Sequence, residues 1–435
     1  MKRSPPILLA GLLLGVVATG CGATSETLEG DAVGEGPGAE PAIWTEGAAG
    51  PEDPLQGPPL ADSPPPLPTP RFPRPESIRG IYLNAWAAGS ASRLEGLIQL
   101  ARGTEVNTFV IDVKDDTGYL SHSTRIPMAR TVGADGERRI RDLDALLDRM
   151  EMEGIYPIAR IVVFKDPILA RELPRTAVQD ISGRPWVDGR GDLWVNPWNR
   201  DVWDYNAQVA REVVETGFPE IQWDYIRFPD RPAREMAEAV FPGAEGRPRS
   251  AAVRDFLRWT GEALADLEVP LTADVFGVTT TATHDVGIGQ LWEEFIDVVD
   301  AALPMVYPSH YWEGSYGFAR PNAHPYEIVR RALSDAIRRT RPIEGAGRII
   351  PWLQDFSLGD PRYGVPEVRA QILATYDAGL REWILWNSAG RYTEGALEPV
   401  GGWPGGREPD IRHGSGIIPA ADRPAPVGPR EPMDR

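Results

Sequence analysis

From residue 78 onward the chain alternates short apolar runs with amphipathic helical stretches, and it does so eight times. The expected strands span 78–84, 108–114, 156–163, 220–224, 270–275, 302–307, 349–354 and 382–387. Between them, Leu94, Leu97, Ile98 and Ala101 share one helical face, as do Leu143, Leu146, Leu147 and Met150, and later Ile328, Val329, Ala332 and Leu333. Such alternation predicts an α/β fold, a parallel (β/α)8 TIM barrel; a doubly wound open sheet satisfies the same pattern less well.

Successive side chains of a strand point to opposite faces. Phe109, Ile111 and Val113 have one parity and Asp112 and Lys114 the other; Ile221 and Trp223 oppose Glu220, Gln222 and Asp224; Leu271, Ala273 and Val275 oppose Thr272 and Asp274. The apolar parity is expected to face the helices and the polar one the barrel axis. Polar groups at C-terminal strand ends are where barrel enzymes keep their chemistry.

The ends of the chain read differently. Met1-Lys2-Arg3, an apolar run from Ile7 to Val17 and Ala18-Thr19-Gly20-Cys21 have the layout of an export signal, and the apolar run is too short to span a bilayer. Small residues ending in the only cysteine of the chain resemble a bacterial lipobox, although Ala18 stands where Leu is usual. The resemblance implies cleavage before Cys21, lipidation of its thiol and a membrane-tethered, exported lipoprotein; an ordinary signal peptide with an incidental cysteine is the alternative. Residues 22–76 and 399–435 are rich in Pro, Gly and acidic residues and are expected to be a disordered linker and tail. The barrel domain is then 77–398. A net charge of −18 repels phosphate backbones, which argues against nucleic acid as a partner.

Two connections, 115–140 and 164–200, are long for βα loops, and such loops are uncommon unless functional. The second carries Trp186, Asp188, Trp194, Asn196 and Trp198, either a wall for a sugar groove or a loop packed on its own tryptophans.

Glycoside hydrolysis uses two carboxyl groups, one to protonate the leaving oxygen and one to attack or activate water. Asp224 and Asp274 end the fourth and fifth strands on the inward parity, and neighbouring strands lie about 4.8 Å apart, so these two are the candidate catalytic pair. Arg227 is expected to keep Asp224 ionised. Asp112 and Lys114 form a third inward pair, either for substrate hydroxyls or as a buried brace. Tyr82, Trp198, Tyr307, His310, Trp312, Gln354, Trp386 and Asn387 complete an expected polar and aromatic rim, with Glu313 an alternative acid. The five histidines show no metal-ligand spacing, and no nucleophile elbow, Walker loop or dinucleotide fingerprint occurs, so neither metal nor cofactor is expected.

The motifs Arg79-Gly80-Ile81-Tyr82-Leu83, Phe109-Val110-Ile111-Asp112-Val113-Lys114-Asp115, Trp223-Asp224-Tyr225-Ile226-Arg227-Phe228-Pro229, Ala273-Asp274-Val275-Phe276-Gly277 and Pro304-Met305-Val306-Tyr307-Pro308-Ser309-His310-Tyr311 occur in this order. With the Trp386-Asn387 ending they resemble a family of bacterial glycoside-hydrolase-like TIM-barrel domains of unknown function, grouped at distance with α-amylase-like and α-galactosidase-like barrels. The resemblance spans roughly 77–398 and implies carbohydrate activity, with the acid ending strand four, Asp224, as the commonly catalytic residue. Three functions follow as expectations: a hydrolase of envelope or extracellular polysaccharide, a carbohydrate-binding lipoprotein without turnover, and an envelope protein whose barrel docks a partner.

Overall fold

Closing a parallel sheet on itself removes the edges that an open sheet leaves unpaired, and the computed structural model, which describes residues 70–414 and 416–419, does this. The strands are β1 (Arg79–Leu83), β2 (Thr108–Lys114), β3 (Tyr156–Val162), β4 (Ile221–Asp224), β5 (Leu271–Phe276), β6 (Ala301–Met305), β7 (Arg348–Ile349), β8 (Trp352–Gln354) and β9 (Trp383–Trp386). All pair in parallel, in the order β5-β4-β3-β2-β1-β9-β8-β6-β7, and β5 also pairs with β6. β7 and β8 are two halves of one stave interrupted at Pro351, which has no N–H to donate to a ladder. Counted by staves, this is the expected eight-stranded barrel.

The expected parity is observed. Trp223 on β4 points outward and meets Phe256 of the helix Arg249–Ala263 edge to face, with centroids 5.5 Å apart. The helices Leu143–Glu153, Arg200–Thr216 and Pro325–Thr340 likewise bury their apolar stripes, including Leu147, Val209 and Leu333, against the staves.

One register shift matters for the site. β2 and β3 pair Asp112 with Arg160 and then Lys114 with Ile161, so Val113 is an extra residue in β2. A bulge of this kind re-aims the side chain that follows it.

The barrel extends beyond its expected limits at both ends. Phe72 is buried, Arg71 pairs with Glu151 and Arg74 with Glu382. The residues after 398, expected to be a tail without structure, are in part laid on the barrel. A hairpin, β10 (Ile411–His413) with β11 (Gly416–Ile418), is tied down by Arg412 to Glu367 at 2.6 Å, and Arg369 pairs with Glu408. Ion pairs hold this segment together with a single buried apolar side chain among its described residues, Ile411, which is why its composition reads as a tail. The leader and Cys21 lie outside the described residues.

Candidate active site

Arg160 lies in a fully buried strand, in the otherwise apolar run Ile158-Ala159-Arg160-Ile161-Val162. A guanidinium taken out of water there needs counter-charges. Three carboxylates supply them. Nη1 donates to Asp112 Oδ1 on β2 and Nη2 to Asp224 Oδ2 on β4. Nε donates to the same Asp224 oxygen at 3.0 Å and stands 3.7 Å from Asp274 Oδ2 on β5. Asp112, Asp224 and Asp274 are only 2 %, 5 % and 1 % exposed.

Each acid has further donors. Tyr82 Oη donates to Asp112 Oδ2, and the Tyr82 ring stacks on Trp386 at 4.0 Å. The Arg160 guanidinium carbon lies 5.5 and 5.2 Å from the centroids of these two rings. Gln222 Nε2 donates to both oxygens of Asp274, at 2.8 and 3.0 Å, and Trp352 Nε1 donates to Oδ1 at 2.6 Å.

One cation cannot neutralise three buried acids. Burial pushes Asp112 up to about 6 against the pull of Arg160. Asp274 is raised well above the usual carboxylate range, first by burial and then by the charge of Asp224. Burial thus works against charge on Asp112 and Asp274, while Asp224 accepts from two nitrogens of the guanidinium.

The chain turns sharply after Asp224. Tyr225 has φ +51°, a left-handed conformation that a bulky residue adopts only at a cost of about 1–3 kcal/mol, and its N–H donates to Asp224 Oδ1. After β5, Gly277 lets the chain pass where a Cβ would stand 2.3 Å from Met305 O. Both turns occur where the polar strand ends emerge.

The other expected residues are placed as follows. Lys114 does not face Asp112: the bulge at Val113 turns it toward the helix Arg200–Thr216, where Nζ pairs with Asp166 at 2.8 Å and donates to Val162 O and Asn206 Oδ1. Arg227 is not the ion-pair partner of Asp224. Its guanidinium lies among the rings of Trp194, Tyr225 and Phe276 and donates to Phe228 O at 3.2 Å. Trp198 packs with Phe228 and Ala252 in a satellite cluster. Trp186 and Trp194 are also buried, and Asp188 and Asn196 bond within the loop or to Pro242, so the 164–200 connection is packed on its own tryptophans. Gln354 is buried and joins Ser309 N to Phe356 O; Asn387 bonds to Asp355 O and Arg391 O. These two brace loops. Tyr307 is buried with its hydroxyl unpartnered, edge to face with His310 at 5.2 Å, while His310, Trp312 and Glu313 are exposed.

The structure thus brings together Asp224, Asp274, Asp112, Tyr82 and Trp386. Sequence reasoning missed Arg160 and Trp352, and also Asp355, whose carboxylate, raised to about 6 by burial, accepts from Thr393 at the end of β8. An arginine inside an apolar strand run was the available signal for the first. Among the described residues no group of three His, Cys, Asp or Glu side chains is arranged to hold a metal ion.

Residues 80–392 match a family described as "Putative glycosyl hydrolase domain". A hypothetical protein from Ruminiclostridium thermocellum is 37 % identical over 45 % of this chain and 97 % of its own, with a TM-score of 0.41. The PgaB (BpsB) glycoside hydrolase domain from Bordetella bronchiseptica is 14 % identical, with 73 % of this chain and 95 % of that domain covered and a TM-score of 0.53, a likeness of fold. No curated protein matches the chain.

Proposed function

Since the chain belongs to the family described as "Putative glycosyl hydrolase domain", we propose that it is a glycoside hydrolase whose reacting carboxyl groups are Asp224 and Asp274. The observation that carries the reading is their common partner: one nitrogen, Arg160 Nε, lies 3.0 Å from Asp224 Oδ2 and 3.7 Å from Asp274 Oδ2. The two oxygens can be no farther apart than these lengths laid end to end. That limit lies near the bottom of the roughly 6.5–9.5 Å range of inverting enzymes and encloses the about 5–5.5 Å of retaining ones.

Asp224, held by two guanidinium nitrogens, is the nucleophile; Asp274, whose raised pKa keeps its proton, is the acid. In the first step Asp274 gives its proton to the glycosidic oxygen, the bond from that oxygen to the anomeric carbon breaks, and Asp224 bonds to the carbon. In the second, Asp274 takes a proton from water, the water oxygen bonds to the anomeric carbon, and Asp224 is released. Tyr82 and Asp112 orient Arg160 and, through it, Asp224.

The substrate is an envelope or extracellular polysaccharide, and the chain is exported and tethered through Cys21. Palmitate labelling of cells expressing the full chain tests the tether; label retained in Cys21→Ser removes it. The near-complete burial of Asp274 favours a second reading, a lipoprotein that binds carbohydrate without turnover. Reducing-end release from α-glucans, galactans and amino-sugar polymers separates the two. Hydrolysis is expected in the parent and a loss of about 10³-fold in Asp224→Asn and in Asp274→Asn, with binding kept. Full activity in either variant refutes the assignment, and binding without release by the parent selects the second reading.

A further inference from the structure

Trp86 and Trp312 are the exposed tryptophans among the described residues, at 60 % and 74 %. Both stand at the C-terminal mouth. Trp86 is in the short helix Ala85–Ala88 that follows β1, and Trp312 is in the loop that follows β6. In the strand order β1 and β6 are separated by β9 and β8, so the two indoles stand on different sides of the mouth.

Trp86 is held in place. Arg139, itself buried, sits with its guanidinium carbon 5.3 Å from the Trp86 ring centroid and is fixed by Asp115 and by Glu137 at 2.9 Å. The turn below is set by Asn84, which accepts from Ala87 N and donates to Ser388 O, both at 2.8 Å. That second bond ties the loop after β1 to the loop after β9. On the same side of the mouth, Trp386, half-buried, stacks on Tyr82 and contacts Arg160.

An exposed indole with one face braced loses little freedom when its other face is covered, and the carbon–hydrogen faces of sugar rings are apolar surfaces of fitting size. We propose that Trp86, backed by Arg139, is a stacking platform for a sugar remote from the reacting bond, with Trp312 its counterpart across the mouth. The protein then engages a chain of several sugars within the polymer and not a terminal mono- or disaccharide. This rests on the carbohydrate reading above but not on turnover.

The test uses the full chain carrying Asp224→Asn and measures retardation in native gels containing soluble starch, linear galactan or partly deacetylated chitosan. At least one polymer is expected to retard it. Adding Trp86→Ala is expected to weaken that affinity about tenfold, and Trp86→Phe to restore most of it. Trp86→Ala binding the polymer as tightly as its parent overturns the proposal, as does the absence of retardation by every polymer. A Trp86 dependence seen only with phosphatidylglycerol vesicles overturns it in favour of a membrane surface. Trp86-dependent binding to a polymer from which the wild-type chain releases no reducing ends leaves the platform standing and refutes the hydrolase.

Discussion

Replacing Arg160 by Met keeps the unbranched stem of the side chain and removes the cation from three acids. Asp112 and Asp224 lose their direct bonds and Asp274 the nearby charge, in a cluster where each acid is at most 5 % exposed. Breaking a buried ion pair by removing one partner costs about 3–5 kcal/mol. At about 2–4 °C per kcal/mol, the range for domains of 150–250 residues, the melting temperature falls by roughly 6–20 °C, and the low end suits a barrel of this size. The loss depends on pH. With the cation gone the acids hold their protons more tightly, so the variant is closest to wild type in acid, where they are neutral, and falls further behind as pH rises. The activity responds as well: the acidic limb of kcat/KM, which reports the cluster as a whole, moves up by about 1–3 pH units. Thermal melts from pH 4 to 8, with pH–rate profiles on whichever polymer of the panel the parent hydrolyses, check both. A variant that melts with wild type at pH 8 refutes the ion-cluster argument. One that melts low with an unmoved acidic limb refutes the role of Arg160 in charging the nucleophile.

Asp112 is raised from the ordinary carboxylate range to about 6, so its contribution to stability is fully present below about pH 4 and is lost as pH rises through 6. At about 1.4 kcal/mol per pH unit this is on the order of 3 kcal/mol; Asp112→Asn should flatten that part of the curve in urea midpoints taken from pH 4 to 7, and an unchanged slope assigns it to another group. Lys114→Met leaves Asp166 buried without its cation and should cost about 3–5 kcal/mol, much of it recovered in Lys114→Met/Asp166→Asn. Polymer binding should survive in the double variant, and its loss there would return Lys114 to the sugar site.

The barrel was legible because its signal is repeated. Eight apolar runs at helical separations leave little choice of fold, and the parity of three of them places Asp112, Asp224 and Asp274 inward without further information. The partners of those acids were not legible in the same way. Arg227 is three residues from Asp224 in sequence, yet the left-handed turn at Tyr225 carries the chain away and its guanidinium ends among aromatic rings. Arg160 is sixty-four residues away and adjacent in space, because β3 lies beside β4 in register, with Val162 opposite Asp224. Lys114 shares the parity of Asp112 by count, but parity fails across a bulge, and nothing in Val113 announces one. The tryptophans of the 164–200 loop were readable as a wall or as a staple. Their burial decides for the staple, in a loop that folds back on itself and pairs Ala177 with Val195 and Val187 with Leu193.

The division of roles between the two catalytic candidates comes from an asymmetry that neither strand contains alone. Asp224 and Asp274 are both inward aspartates at the ends of adjacent strands, and their local sequences do not rank them. Arg160 does, because its fork reaches Asp224 through Nε and Nη2 and approaches Asp274 only at 3.7 Å. The donors on Asp274 are neutral, from Gln222 and Trp352. Neutral donors favour a carboxylate, but they oppose burial and the adjacent charge of Asp224, and these two prevail. The guanidinium at 3.7 Å also pulls Asp274 down, yet burial and the neighbouring charge of Asp224 outweigh it. The proposed hydrolysis needs that inequality, a nucleophile and a proton presented together, and Arg160 of β3 contributes to it from outside β4 and β5.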